Sequence, residues 1–203
     1  IPKSFADYLT ANYPEVENVC QLGGVRDASI ESKAESFRKL TVVAADSAFF
    51  SFFDFPLIRG TSGTDIAPGS VVLSTGTANV IFGRTDVIGE VVDLRTADTT
   101  VQLGVSAVLD KLEENSHLGF DALVHPTVLK GGLRLGVTYV LLQHGDAYKS
   151  LEGKINADVQ RPGIMGPGKA TYFLDALADS YFNADNKAPF MKRGSPVFVN
   201  VVN

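Results

Sequence analysis

TVQLGVSAVLD, residues 100–110, is the stretch on which the fold turns. Val101, Leu103, Val105, Ala107 and Leu109 recur at every second position, and side chains two apart on an extended backbone point the same way. The spacing predicts a strand with one apolar face. EVVDLR (residues 90–95) supplies its hairpin partner, and Gly89 turns the chain into that hairpin. Further upstream, VVLS (71–74) reads as a strand and TGTANVIFG (75–83) as a helix with Ala78, Ile81 and Phe82 inward. Gly83 stands where a left-handed helix cap is wanted, a conformation glycine adopts without a Cβ clash. GTSGTDIAPG (60–69) is dense in turn formers. Downstream, a polar loop, KLEENSHLGF, leads to a short strand, DALV (121–124).

Helices flank this strand-rich middle. In PKSFADYLTANYP (2–14), Ala6, Leu9 and Tyr13 lie at helical spacing, so a short helix runs to about Asn12 and stops before Pro14. VENVCQL (16–22) reads as a strand broken by Gly23 and Gly24, and SFRKLTVVAA (36–45) as another. Asp46 or Ser47 caps a short helix through AFFSFF, where Phe49, Phe50, Phe52, Phe53 and Phe55 are too many for one side; Phe50 and Phe53 are expected to be buried. After Gly131 and Gly132, LRLGVTYVLL (133–142) alternates through Leu133, Leu135, Val137, Tyr139 and Leu141. Asp146 then caps a helix whose Ala147, Leu151, Ile155 and Val159 recur every fourth residue. RPGIMGPGK (161–169) is a loop, ATYFLDAL (170–177) reads as a last strand, and the tail from Ser180 has little pattern. The sum is an α+β chain with an inserted β-rich subdomain.

Composition limits the function. The 203 residues carry 18 Lys plus Arg against 23 Asp plus Glu, a net charge of −5, so the basic footprint of a nucleic-acid binder is missing. A chain of this length buries roughly 70% of the surface its unfolded form exposes and needs no disulfide staple. Its one cysteine, Cys20, excludes a disulfide framework and any Cys-rich zinc site. No apolar run is long enough to cross a membrane. The chain opens on Ile1 and turns apolar again at Val197, Phe198, Val199, Val201 and Val202, which we read as the edges of a segment from a longer parent.

No motif carries chemistry. GIMGPGKA (163–170) matches G-x-x-x-x-G-K and then puts Ala170 where a Walker loop needs the Mg²⁺-ligating hydroxyl; a helix precedes it and a strand follows, the reverse of the required context. Asp110, Glu113, Glu114 and His117 would share a face on a helix, with His125 further on, but NSHLGF is poor in helix formers and reads as a solvated loop. Cys20 sits within a strand, where buried inert thiols are common. Ser62 lacks the G-x-S-x-G elbow, Ser116 beside His117 is only adjacency, and His117, His125 and His144 show no convergence.

The ordered string of elements is more specific than any single motif. YPEVENV (13–19), VVAADSAFFSFFDFPLIRG (42–60), SVVLSTGTANVIFG (70–83), VIGEVV (87–92), LGVSAVLDKLEENSHLGFDALV (103–124) and TYVLLQHGDAYKSLEGKI (138–155) together resemble the extracytoplasmic domain of MacB/FtsX-type ABC transporter permeases. The resemblance implies a porter-like α/β subdomain formed from both chain ends, residues 1–54 and 129–182, with the β-rich insertion at 55–128 and a tail, 183–203, leading towards a transmembrane helix. It implies a periplasmic domain of an inner-membrane protein that relays ATP-driven motion and contains no catalyst. The partners so implied are an ATP-binding subunit or domain on the cytoplasmic side, a second permease copy, the membrane through flanking helices, and an exported substrate or periplasmic protein. The resemblance transfers no catalytic, cofactor or metal residue. Exposed aromatics among Phe49–Phe55, or the ENSHLGF loop, are the expected partner surface. A free-standing extracytoplasmic ligand-binding module and an unrecognised hydrolase are the alternatives.

Overall fold

The computed structural model describes residues 5–31, 40–60, 66–110, 116–129, 136–159 and 171–177. In chain order the elements are α1 (Phe5–Asn12), β1 (Val16–Val25), β2 (Ser29–Glu31), β3 (Val42–Ala45), α2 (Phe49–Phe52), β4 (Leu57–Arg59), β5 (Ser70–Ser74), α3 (Thr75–Phe82), β6 (Val91–Arg95), β7 (Thr100–Leu109), β8 (Ala122–Val124), β9 (Gly136–Leu142) and α4 (Tyr148–Val159). The class is α+β. Among the described residues the strands join one mixed sheet in the order β2-β6-β7-β5-β8-β3-β1-β9, with β4 paired to β7. β3 runs parallel to β8 and β5 parallel to β7, while the remaining pairs are antiparallel.

The sheet is curled. β1 and β2 lie far apart in strand order, yet the link Arg26–Ala28 joining them can span only about 10 Å. The Ala28 carbonyl accepts the Leu40 N–H at 3.1 Å just before β3 begins, so the sheet bends round until β2 comes back beside the β1–β3 end.

β7 forms where the periodicity places it and pairs with β6 as expected, but its five apolar residues do not share a face. Val71 pairs with Val105 and Val72 with Ala107, which leaves Ser106 as an extra residue in the ladder. One extra residue flips every side chain beyond it. Leu103 and Val105 therefore point into one core with Val71, Leu73, Ala78, Ile81, Leu94 and Val124, while Ala107 and Leu109 point into the opposite one with Cys20, Leu22, Phe49, Phe53, Val72 and Leu123. Val108, off the predicted stripe, returns to the first core. The central strands read as unbroken apolar runs (VVAA, VVL, ALV) because both faces are covered.

β1 departs from the sequence reading in another way, since it continues through Gly23 and Gly24 to Val25. Gly23 pairs with Ala44 on one side and Gly136 on the other. A Cβ on Gly136 would drive into the Leu22 carbonyl, so glycine here permits a close approach of strands and does not end one. Ser74 caps α3 by accepting the Thr77 N–H, and Gly83 takes the left-handed cap at φ 69°, as anticipated. α2 is capped differently. Its first turn is entered from Ala48, and Asp46 acts one step earlier, accepting Ala48 N–H at 3.0 Å and Gln21 N–H at 2.7 Å to tie the turn to β1. Phe49 and Phe53, not Phe50 and Phe53, are the buried pair.

Candidate functional site

Two regions gather the polar and aromatic side chains that could act. The first lies over β1 and β9. Phe49 is fully buried and its ring meets Phe50, Phe53, Phe55 and Phe120 at 5.1 to 6.0 Å between centroids. Beside it, His117 packs on Phe53 at 5.9 Å and its Nε2 lies 3.1 Å from the Tyr139 hydroxyl. Burial holds the His117 imidazole below its ordinary value and pushes the Tyr139 phenol up. Burial, then the neighbouring Asp46 carboxylate, pushes the Cys20 thiol up as well. Cys20 is fully buried and packs in the core around Phe49. The sequence places a solvated loop here; instead, within the described residues 116–120, Leu118 and Phe120 are buried beside Phe49 and Phe53 in the core, while Glu114 and Asn115 of the expected partner surface lie outside the described residues. Leucine and phenylalanine two apart around Gly119 were the legible sign of that.

The second region is where α1 meets α4 and residues 171–177. Tyr8 and Leu9 of α1 pack with Tyr13, Val16, Val19 and with Leu151 and Ile155 of α4. The predicted α4 stripe is right at those two positions. Tyr13 donates its hydroxyl to Asp158 Oδ2 at 2.9 Å, and burial together with that neighbour pushes its phenol up. Lys154 reaches Glu15 at 2.6 Å and holds that carboxylate below its usual range. Residues 171–177 lie against α4, and among the described residues the expected last strand pairs with no other strand. Asn156 takes the place of one: its Oδ1 accepts the Tyr172 N–H at 2.8 Å and its Nδ2 donates to the Tyr172 carbonyl at 2.8 Å. Glu152 accepts the Leu174 N–H at 2.6 Å, and that bond, ahead of Lys149 nearby, lowers its carboxyl pKa. Phe5 stacks on Tyr172 at 4.9 Å, which joins α1 to the segment 171–177. Glu152 and Asn156 escaped the sequence reading, although their spacing of four on one helix face was visible.

The other candidates stay apart. His125 uses its ring nitrogen to accept the Thr127 N–H and cap the turn Pro126–Val128, and His144 lies exposed before α4. Ser116 accepts the Leu118 N–H at 3.2 Å. Asp110 is exposed, while Ser62, Glu113, Glu114 and the Gly163–Ala170 loop lie outside the described residues. The Asp146 side chain falls outside the description too. Among the described residues no three His, Cys, Asp or Glu side chains are placed to share a metal, and no helix is long and apolar enough to cross a membrane.

A curled mixed sheet with a helical layer in which α1 packs on α4 defines an α+β domain. The chain belongs to the MacB-like periplasmic core domain family, whose model matches residues 1–158. Its structure is similar to a domain assigned to a permease protein of Porphyromonas gingivalis (20% identity, TM-score 0.66, 82% of this chain and 79% of that one). It is also similar to the periplasmic region of MacB from Actinobacillus actinomycetemcomitans (17%, 0.60, 77% and 73%). A third likeness is to the extracellular domain of the noncanonic ABC-type transporter YknZ from Gram-positive bacteria (18%, 0.55, 75% and 88%). No curated protein matches the chain. The family is extracytoplasmic and belongs to ABC transporter permeases, which work with ATP-binding subunits.

Proposed function

We propose that this chain is the non-catalytic external domain through which ATP-driven motion of a permease reaches an exported substrate or a periplasmic partner. The observation that carries the reading is that the first and last described segments meet on one face: α1 packs on α4, and Phe5 stacks on Tyr172. Membrane helices preceding α1 and following residue 177 would act on one joint, and movement there would tilt the sheet. The remaining parts follow from family membership: an ATP-binding subunit or domain on the cytoplasmic side drives the movement, and a second permease copy supplies the surface against which it is made. We extend the proposal to domain organisation. Residues 1–54 with 129–182 form the porter-like part and 55–128 the insertion; the core of Tyr8, Leu9, Tyr13, Leu151 and Ile155 supports joining the two segments of the first part, and the other two cores pack that part and the insertion together.

The domain acts by offering different surfaces in different states, and a ligand biases the states only by its differential affinity for them. The test is a spin label at exposed Val80 in each copy of the full permease with its ATP-binding subunit. A label-to-label distance distribution that shifts between nucleotide-free and ATP-trapped protein is expected. Identical distributions would overturn the relay, and a parent gene lacking apolar stretches of about 20 residues on both sides would overturn the membrane attachment.

A further inference from the structure

We propose that residues 171–177 are a latch, an extended segment seated on α4 by Glu152 and Asn156 in place of a strand neighbour and able to lift off and re-seat while the sheet stays folded. The segment has the exposure pattern of a strand: Tyr172 and Leu174 are turned in, whereas Thr171, Phe173, Asp175 and Leu177 are exposed. Extended backbone sends the N–H and C=O of alternate residues to one side. Here the groups of Tyr172 and Leu174 face α4, where Asn156 takes both groups of Tyr172, Glu152 takes the Leu174 N–H and Lys149 donates to the Leu174 carbonyl at 3.2 Å.

What distinguishes this seat from a ladder is that every partner on α4 is the tip of a side chain. Such partners can rotate away one at a time without breaking a neighbour's bond, so they separate without unravelling the elements that carry them. The floor also keeps its own packing when uncovered, because Leu151 and Ile155 are held by Tyr8, Leu9, Tyr13, Val16 and Val19. Phe5 loses its stacking on Tyr172, and the cluster loses the cover of Tyr172 and Leu174. The outer side of the segment is open, with Phe173 78% and Leu177 51% exposed. The family model stops at residue 158, so its match includes the seat on α4 but not the segment 171–177 that rests on it. The latch rests on the relay reading for its purpose only: seated, it passes a pull arriving from beyond residue 177 directly to α4; lifted, it takes up that pull as slack.

Hydrogen exchange followed by mass spectrometry on the whole chain tests it, comparing wild type with Asn156→Ala and Glu152→Gln. The expected result is local opening: peptides over 171–177 exchange faster than those of β1 and β9, Asn156→Ala accelerates them roughly five- to hundredfold by removing two hydrogen bonds, and β1 and β9 are unchanged. Glu152→Gln keeps an acceptor and accelerates them less. Exchange of 171–177 at the rate of β1 and β9, or no response to Asn156→Ala, overturns the latch. Should Asn156→Ala fail to fold, Glu152→Gln decides, and the absence of any local acceleration refutes it. A latch that opens in a permease showing no ATP-dependent distance change keeps the device and loses the role; a moving permease with a fixed segment removes the latch alone.

Discussion

Replacing Phe49 by alanine is the sharpest test of the packing on which the sheet depends. The ring is fully buried and meets Phe50, Phe53, Phe55 and Phe120, the nearest at 5.1 Å. Truncating a buried phenylalanine costs about 3–5 kcal/mol through lost transfer energy and the residual cavity. Aromatic pairs add about 0.5–1.5 kcal/mol beyond burial, so Phe49 belongs near the top of that range. Against a typical domain stability of about 5–15 kcal/mol, the loss is a large share. At about 2–4 °C per kcal/mol for a chain of this size, Tm should fall by roughly 10–20 °C. Phe52 is the control. It is half-buried and its ring neighbour is Phe53 at 6.2 Å, so Phe52→Ala should lower stability by about 1 kcal/mol and Tm by only a few degrees. Differential scanning calorimetry of both variants, with near-ultraviolet circular dichroism to confirm the native state, makes the comparison. Equal drops in Tm would refute the inward placement of Phe49.

At Gly60 the backbone sits at φ +107° and a Cβ would stand 2.9 Å from the Ala107 Cβ, so Gly60→Ala should lose about 2 kcal/mol or more in urea unfolding. Adding Ala107→Gly should restore the part due to contact and leave the part due to backbone angle; full rescue would show that the angle is not strained. Because burial lowers the His117 pKa, the unfolded chain binds that proton more readily, and stability is full above about pH 6.5 and declines as pH falls below it, by at most about 1.4 kcal/mol per pH unit. Urea midpoints measured either side of that pH should converge in His117→Gln; an unaltered difference assigns the effect elsewhere. Cys20, buried and raised in pKa, should resist iodoacetamide in the native chain and react in concentrated guanidinium, and rapid native alkylation would contradict its placement.

Much of this architecture is local and was therefore legible. Helix α1 stops where Pro14 follows it, α3 is bounded by Ser74 and Gly83, and β6 with β7 is a hairpin between close neighbours in sequence. Where a residue's meaning depends on a distant partner, the pattern misled. Gly23 and Gly24 look like breakers because only β3 and β9, approaching from either side, make small residues there an advantage. His117 looks solvated because Tyr139 and Phe53, its cover, come from other segments. Tyr172–Leu174 alternates like a strand, and nothing local reveals that its partner is a helix.

By itself the sequence determined most of the extended and helical segments and that the chain is an acidic α+β domain, since periodicity, capping and order along the chain are properties of neighbours, while the short strands β2 and β4 carried no pattern of their own. Tertiary structure alone decided which way those segments face. In β7 the alternation through Leu109 is unbroken on paper, yet pairing with β5 leaves Ser106 over and sends Ala107 and Leu109 to the opposite core from Leu103 and Val105. A bulge is an offset between two strands, and one strand cannot encode it alone.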